Sequence, residues 1–427
     1  MKNLKINTPI IFLALLFIAL IFITPGCNKK ETDPPGPQLP PGKVYQGDLL
    51  NPSHEELQTF FEEGYEIIDG KVEFFKMDGL LDMQSFSNVK YIKEHFSIVE
   101  NEDLKSLEGL NKLDSVGVAL IISGNALENI IDLNNLQSVG VEFHISSDNL
   151  ANLEGLNNLQ SVGKFVLLSN NNLTNLEGLD NLQSIGAFVI SFNSNLISLD
   201  GLNSIHSIET SLRISYNLSL ENIEGLNNLQ SVGTEFFIYN NINLPNLEGL
   251  NSLQSVGALW IESNYNLKSI ESLINIQSFT DELYIIDNTN LRSLDGLNNV
   301  QSVGTELYIS FNDSLDNISA LNSLQSVGSD LEVLFNDNLT SIEGLNNLLS
   351  VGRVLKIRRN ANLTNLEGLN NLQSVGDDLD ILANYNLIDF CAIQNLLTID
   401  GVGGVITIEE NAYNPTVEDI INGDCSL

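Results

Sequence analysis

Basic residues, histidine, tryptophan and cysteine are all scarce in this chain. Its 427 residues include 19 Lys+Arg against 55 Asp+Glu, four His, one Trp and three Cys. A formal charge of −36 excludes a nucleic-acid binder that works by neutralising phosphates, because such proteins need a basic footprint. Three cysteines are too few for a disulfide-stapled mini-domain. His54, His95, His144 and His206 are scattered, and no HExxH, CxxC or GxSxG spacing occurs, so metal-hydrolase and nucleophile-elbow chemistries lack their residues. Charged residues make up only 17% and hydrophobic ones 43%, which excludes an acidic disordered chain and predicts a large buried core.

The longest apolar stretch, Ile10 to Ile23, follows Lys2 and Lys5. It is too short for a comfortable permanent span, which takes about 20 residues, and reads as a cleaved export signal over 1–26. Thr24-Pro25-Gly26-Cys27 follows at once. This segment resembles the lipobox of bacterial lipoproteins in Gly26 and Cys27, while Thr24 stands where an aliphatic residue is usual. The resemblance implies that Cys27 is acylated and becomes the mature N-terminus; the alternative is an ordinary secretory signal with an incidental cysteine. The signal carries two lysines and no acid, so the acidity belongs to the exported part. Residues 27–42 hold five of the ten prolines and read as an extended, semi-rigid tether.

The remainder is a repeat. Ser115, Ser138, Ser161, Ser184, Ser207, Ser231, Ser255, Ser278, Ser302, Ser326, Ser350 and Ser374 mark SVG-like triplets at spacings of 23 or 24. The unit abstracts to L-x-x-L-x-G-L-x-x-L-x-S-V-G-x-x-L-x-I-x-x-N, and degenerate copies at Val72, Phe96 and Ile406 bring the count to fifteen rungs. Leu307-Tyr308-Ile309 has the period of a strand with Leu and Ile inward, whereas Leu291, Leu294, Leu297 and Val300 recur every three residues, as on a tight extended or 3₁₀-like side. One unit is then one coil, and coils stacked about 4.8 Å apart build a rod on the order of 70 Å long with a continuous core. The SVG glycine is expected to take positive φ at a corner. The recurring Asn (Asn193, Asn217, Asn241, Asn264, Asn288, Asn312, Asn336, Asn360, Asn384) is expected to satisfy buried backbone as an amide ladder at the opposite corner.

The L-x-I-x-x-N-x-x-L core resembles a leucine-rich repeat. The period and the SVG corner resemble the receptor L domain of growth-factor receptor ectodomains and bacterial surface lipoproteins. The resemblance covers 43–427 and implies a β-solenoid, a right-handed parallel β-helix of leucine-rich coils, but hardly a ligand. An N-terminal cap is expected over 43–66, with a short helix at Asn51–Phe61 that turns Leu57, Phe60 and Phe61 to one face. The repeats proper fill 67–387, and 388–427 holds the last coil and a C-terminal cap, with a helix at Val417–Ile421. A Cys391–Cys425 disulfide is the natural inference for an exported chain.

The residue between the two inward positions of each strand must face outward. Along the rod this column is Glu73, Ser97, Ile121, His144, Val166, Val189, Arg213, Phe237, Trp260, Tyr284, Tyr308, Glu332, Lys356, Asp380 and Thr407. Four consecutive rungs are aromatic; Tyr239 lies two residues beyond Phe237, and Glu235, Glu282 and Glu306 flank the stripe. Such rings and carboxylates suit stacking on sugars or anchoring a protein partner; the alternative is sheet stabilisation by ring on ring. Arg353, Lys356, Arg358 and Arg359 predict an ion-pair ladder in which Lys356 lies between Glu332 and Asp380. The periodic acids (Glu108, Glu154, Glu177, Asp200, Glu224, Glu248, Glu271, Asp295, Glu343, Glu367) are expected to cap backbone N–H groups rather than to hold divalent cations. Polysaccharide-cleaving β-helices would cast Asp330, Glu332, Asp378 and Asp380 as acids, but they need long insertions to wall a cleft, and the repeat here varies by one residue.

The sequence therefore predicts a non-enzymatic lipoprotein without a cofactor, held on the outer membrane by its N-terminal lipid at the cell surface or periplasmic face. Its ligand would be an extracellular protein or glycan bound through Phe237, Tyr239, Trp260, Tyr284, Tyr308, Glu282 and Glu306. The alternative is a structural or adhesive spacer.

Overall fold

Every coil spends its apolar residues on the inside, and the stack follows from that. The computed structural model describes residues 40–427, of which Pro41–Leu427 form one compact unit. The signal, Cys27 and all but the end of the tether lie outside the described residues. The unit is a parallel β-solenoid of about 15 coils of about 24 residues, as the resemblance implied. Each coil carries a short strand at the Ser-Val step, such as Ser302–Val303, and a second at L-x-I, such as Leu307–Ser310. In some coils the two fuse, as in Ser231–Tyr239 and Ser255–Glu262. Register runs one repeat per rung: Leu283 pairs with Leu307 and Leu307 with Leu331. Strand pairing begins one rung earlier than the sequence suggested, where Leu49 lies beside Val72.

The glycine expectation is overturned. The SVG glycines do not have positive φ; they stand where successive coils touch backbone to backbone, and are not obligatory there, since Glu209 and Thr280 take the place in two coils. A Cβ on Gly352 would sit 1.9 Å from the Gly328 carbonyl oxygen, and one on Gly376 2.0 Å from that of Gly352. Positive φ falls instead on the glycine of L-E-G-L, at Gly109, Gly155, Gly178, Gly201, Gly249, Gly296 and Gly368, with values from 108° to 119°. This region is open essentially to glycine alone. Coils with Ser85, Asp132, Ser272, Ala320 or Ala392 at this position wind into a 3₁₀ turn instead. Gly225 and Gly344 also take the 3₁₀ form, and there the residue two places earlier is Ile223 or Ile342 rather than Leu.

The asparagine ladder forms and is longer than expected, reaching back to Asn101 and forward to Asn411, which Asn414 caps. Asn312 is typical. Its Oδ1 accepts from the Asn288 backbone N–H at 3.0 Å, and its Nδ2 donates to the carbonyls of Ile285 at 2.8 Å and Ser310 at 3.1 Å. The residue just before each ladder Asn is left-handed, for example Phe311 at φ 58° and Phe335 at φ 54°. That conformation costs roughly 1–2 kcal/mol in an L-residue, and the amide bonds of the following Asn hold it. Ser147 interrupts the column once. A second ladder, unforeseen, runs along the L-N-N-L side: Asn347 Nδ2 donates to the Asn322 carbonyl and Asn371 Nδ2 to that of Asn346, each at 2.7 Å.

The two ends differ. Helix α1, His54–Glu63, starts with a Ser53/Glu56 capping box and buries Leu57 and Phe60, whereas Phe61 is 45% exposed, against expectation. At the other end a short helix α2, Gln394–Thr398, was not anticipated, and α3, Val417–Asn422, has a Thr416/Asp419 capping box. The Cys391 and Cys425 sulfurs are at bonding distance, with Cα atoms 5.0 Å apart, which ties the chain beyond α3 to the last full coil. This cap covers Phe390 and Ile393 but leaves Ile406 and Ile408 of the final strand half-buried.

Candidate binding surface

The strands place Phe237, Trp260, Tyr284 and Tyr308 on consecutive rungs of one face, since Phe237 pairs with Trp260, Trp260 with Tyr284, and Tyr284 with Tyr308. Leu283 and Ile285 beside Tyr284 are fully buried, so the alternation of the strand turns each ring outward. All four are half-buried, partly by one another. Ring centroids are 5.3 Å apart for Phe237 and Trp260, 4.2 Å for Trp260 and Tyr284, and 5.7 Å for Tyr284 and Tyr308, at interplanar angles of 47°, 72° and 69°. Edge-to-face contact of this kind stabilises the sheet. It also means that the rings do not form a coplanar platform for sugar stacking.

Tyr239 leaves the stripe. Its hydroxyl meets that of Tyr216 at 3.2 Å, and the two rings are 5.0 Å apart, with Tyr216 stacked on Phe192 at 4.5 Å. Phe192 and Tyr216 lie at the left-handed corner before the ladder Asn, as do Phe311 and Phe335, stacked at 4.5 Å. The sequence reading missed these pairs, although their one-repeat spacing was there to be read.

At one end of the stripe the Arg213 guanidinium lies 4.3 Å from the Phe237 centroid. At the other, a depression of about 370 Å³ is lined by Trp260, Tyr284, Tyr308, Glu306, Asp330 and Glu332, with Ile286. The Tyr284 hydroxyl donates to Glu306, and burial with that carboxylate pushes the phenol up. Glu282 is also pushed up, first by burial and then by Glu306. Its carboxylate stands beside the Trp260 indole, whose Nε1 is buried without a hydrogen-bond partner; the two groups are near but not aligned. His144, in an apolar stretch of the same column, is held below the usual histidine range by burial.

Carboxylates further along are already paired. Lys356 binds Glu332 at 2.5 Å, Arg353 approaches Asp330 at 3.6 Å, and Arg358 pairs with Asp380. The expected three-membered ladder is thus corrected: Asp380 takes Arg358, leaving Lys356 to Glu332, and Arg359 turns to the Phe335 ring. Asp378 accepts from the Val405 backbone N–H at 2.7 Å. The acids that a polysaccharide-cleaving enzyme would use are therefore engaged in the sheet, with Asp380 buried.

The periodic acids are exposed, and the capping expectation fails for them. The capping oxygen comes from two residues earlier: Asn246 Oδ1 accepts from the Glu248 N–H at 2.9 Å and Asn365 Oδ1 from that of Glu367 at 2.9 Å. Among the described residues no group of three His, Cys, Asp or Glu is placed to hold a metal ion. No helix among them is long and apolar enough to cross a membrane.

Comparison with known proteins adds a family. The model of the BspA type leucine rich repeat region matches in six copies, over 96–218, 121–243 and 213–338. Among solved structures, the chain is similar to one in the crystal structure of a TLR13–ssRNA13 complex at 15% identity, over 88% of this chain and 74% of that one. The TM-score is 0.26. No curated protein matches.

Proposed function

Because the chain belongs to the BspA-type leucine-rich repeat family, we propose that its solenoid is a protein-binding or adhesive module and that the Phe237–Trp260–Tyr284–Tyr308 stripe is the contact surface. The observation that carries this reading is the coincidence of four half-exposed rings with the depression between Trp260 and Glu332. A repeat sheet suits the task, since the core fixes its shape while the outward column varies freely. The tilted rings favour a protein partner, whose side chains reach between rings, over a sugar, which needs a flat face. The mechanism is contact, with no bond made or broken.

The signal-like N-terminus, Cys27 and the Pro-rich tether support an exported lipoprotein held on the outer membrane, and the Cys391–Cys425 pair suits an oxidising compartment. A spacer role is the second reading, favoured by the rigidity that two asparagine ladders confer on the rod. Residues 41–427, screened against arrays of extracellular proteins and glycans, separate the two. Binding to a protein that is lost in Trp260→Ala/Tyr284→Ala supports the stripe; binding that survives this double change removes it.

A further inference from the structure

The sheet face treats its acids in two ways. Glu142, Asp330, Glu332 and Asp380 each have a Lys or Arg on a neighbouring rung. Among the described residues no Lys or Arg pairs with Glu282 or Glu306, although both stand on the aromatic rungs of the same face. Glu282 is partly desolvated and is repelled by Glu306, so a cation placed beside it relieves a tension that the chain leaves unresolved.

The rings beside them supply the other half of a cation site. Trp260, Tyr284 and Tyr308 border the depression with Glu306, Asp330 and Glu332, and aromatic faces attract guanidinium and ammonium groups. The chain itself uses this contact at both margins of the region, with Arg213 over Phe237 at 4.3 Å and Arg359 over Phe335 at 5.4 Å. Between those margins the strands from Ser231–Tyr239 to Leu331–Leu334 carry rings and acids but no Lys or Arg of their own; Lys356 and Arg353 from the next rung occupy Glu332 and Asp330 and leave Glu306 without a cation.

We propose that this depression receives an arginine or lysine side chain of the partner protein, seated against the Trp260, Tyr284 and Tyr308 rings and neutralised by Glu306 on its wall and by Glu282, which stands outside the lining beside Trp260. The proposal rests on the stripe being the contact surface and names the chemistry of what it contacts. A basic partner also fits a chain whose formal charge is −36, because the long-range field draws such a partner in while the depression selects one side chain.

Trp260 is the one tryptophan in the chain, so its emission reports on the site. The purified protein is titrated with N-acetyl-arginine amide, N-acetyl-lysine amide and the uncharged isostere N-acetyl-citrulline amide, at about 0.15 M salt to screen diffuse attraction. The expected result is a saturable change in emission with the arginine or lysine amide and none with citrulline. Glu282→Gln/Glu306→Gln, which removes both charge partners, should weaken it by at least about tenfold, while Glu224→Gln/Glu248→Gln on another face leaves it unchanged. Melting curves of both pairs confirm that they fold. An absent or non-saturable response, an equal response to citrulline, or an undiminished one in Glu282→Gln/Glu306→Gln overturns the proposal. A partner whose binding falls in Trp260→Ala/Tyr284→Ala but not in Glu282→Gln/Glu306→Gln overturns it while leaving the stripe in place.

Discussion

Asn288 and Tyr284 lie on the same strand-to-corner segment of one coil and are held under opposite rules. Asn288 is fully buried and its amide bonds to the Ile261 carbonyl at 2.8 Å and the Ile286 carbonyl at 3.0 Å. Nearly every coil repeats those bonds with the same residue, because the short amide of Asn both accepts from a backbone N–H and donates to carbonyls at that corner. Tyr284 points the other way, and its column holds Ile, His, Val, Arg, aromatic, Glu, Lys, Asp and Thr in turn. One column is fixed by the backbone it must satisfy; the other is free, and whatever distinguishes this molecule from another solenoid resides there.

The sharpest way to break the comparison is on the buried side. Asn312→Ala leaves the Asn288 N–H and the Ile285 carbonyl without partners and empties a close-packed corner. At about 1–3 kcal/mol per buried group, the loss should reach about 4 kcal/mol. Chemical denaturation measures it, and a cost below about 1 kcal/mol would put the ladder outside the forces that hold the stack. Next is the C-terminal end. Reducing Cys391–Cys425, which closes a separation of 34 residues, should cost about 4 kcal/mol and loosen α3 first, seen as faster amide exchange in Val417–Asn422; unchanged exchange would contradict this.

The smallest expected effect lies on the outward face. Glu282 is pushed up in the folded state, so it takes up a proton more readily folded than unfolded. Its contribution favours folding below its unfolded pKa and is lost as pH rises through the folded value. Glu282→Gln should therefore melt slightly higher than the parent at neutral pH, with the difference shrinking on acidification. A variant that melts lower at neutral pH would show that Glu282 has a stabilising partner.

The stack, the inward leucines and the asparagine corner were legible because a period repeated over a dozen times averages out local ambiguity. What the sequence hid was contact between coils. The SVG glycines looked like turn glycines, but their reason is the carbonyl of the coil below, which a single repeat does not contain. The L-E-G-L glycines carry the turn where Leu stands two places earlier, whereas coils with Ile there, such as those of Ile223, Ile270, Ile318 and Ile342, wind as 3₁₀ turns with Gly, Ser or Ala alike. The stripe residues Phe237, Trp260, Tyr284 and Tyr308 were found by alternation alone. The tilt of their rings, the departure of Tyr239 to Tyr216 and the pairing of Asp380 with Arg358 depend on rotamers that period cannot give.

The central claim is that the aromatic column serves binding and the stack does not need it. Trp260→Ala/Tyr284→Ala tests both halves when its melting temperature and its binding to a partner from the protein array are measured side by side. Cross-strand pairs of this kind contribute up to about 1 kcal/mol each, so the account predicts a modest fall in melting temperature with binding abolished. Full binding at a collapsed melting temperature would contradict it and make the stripe part of what holds the rod together.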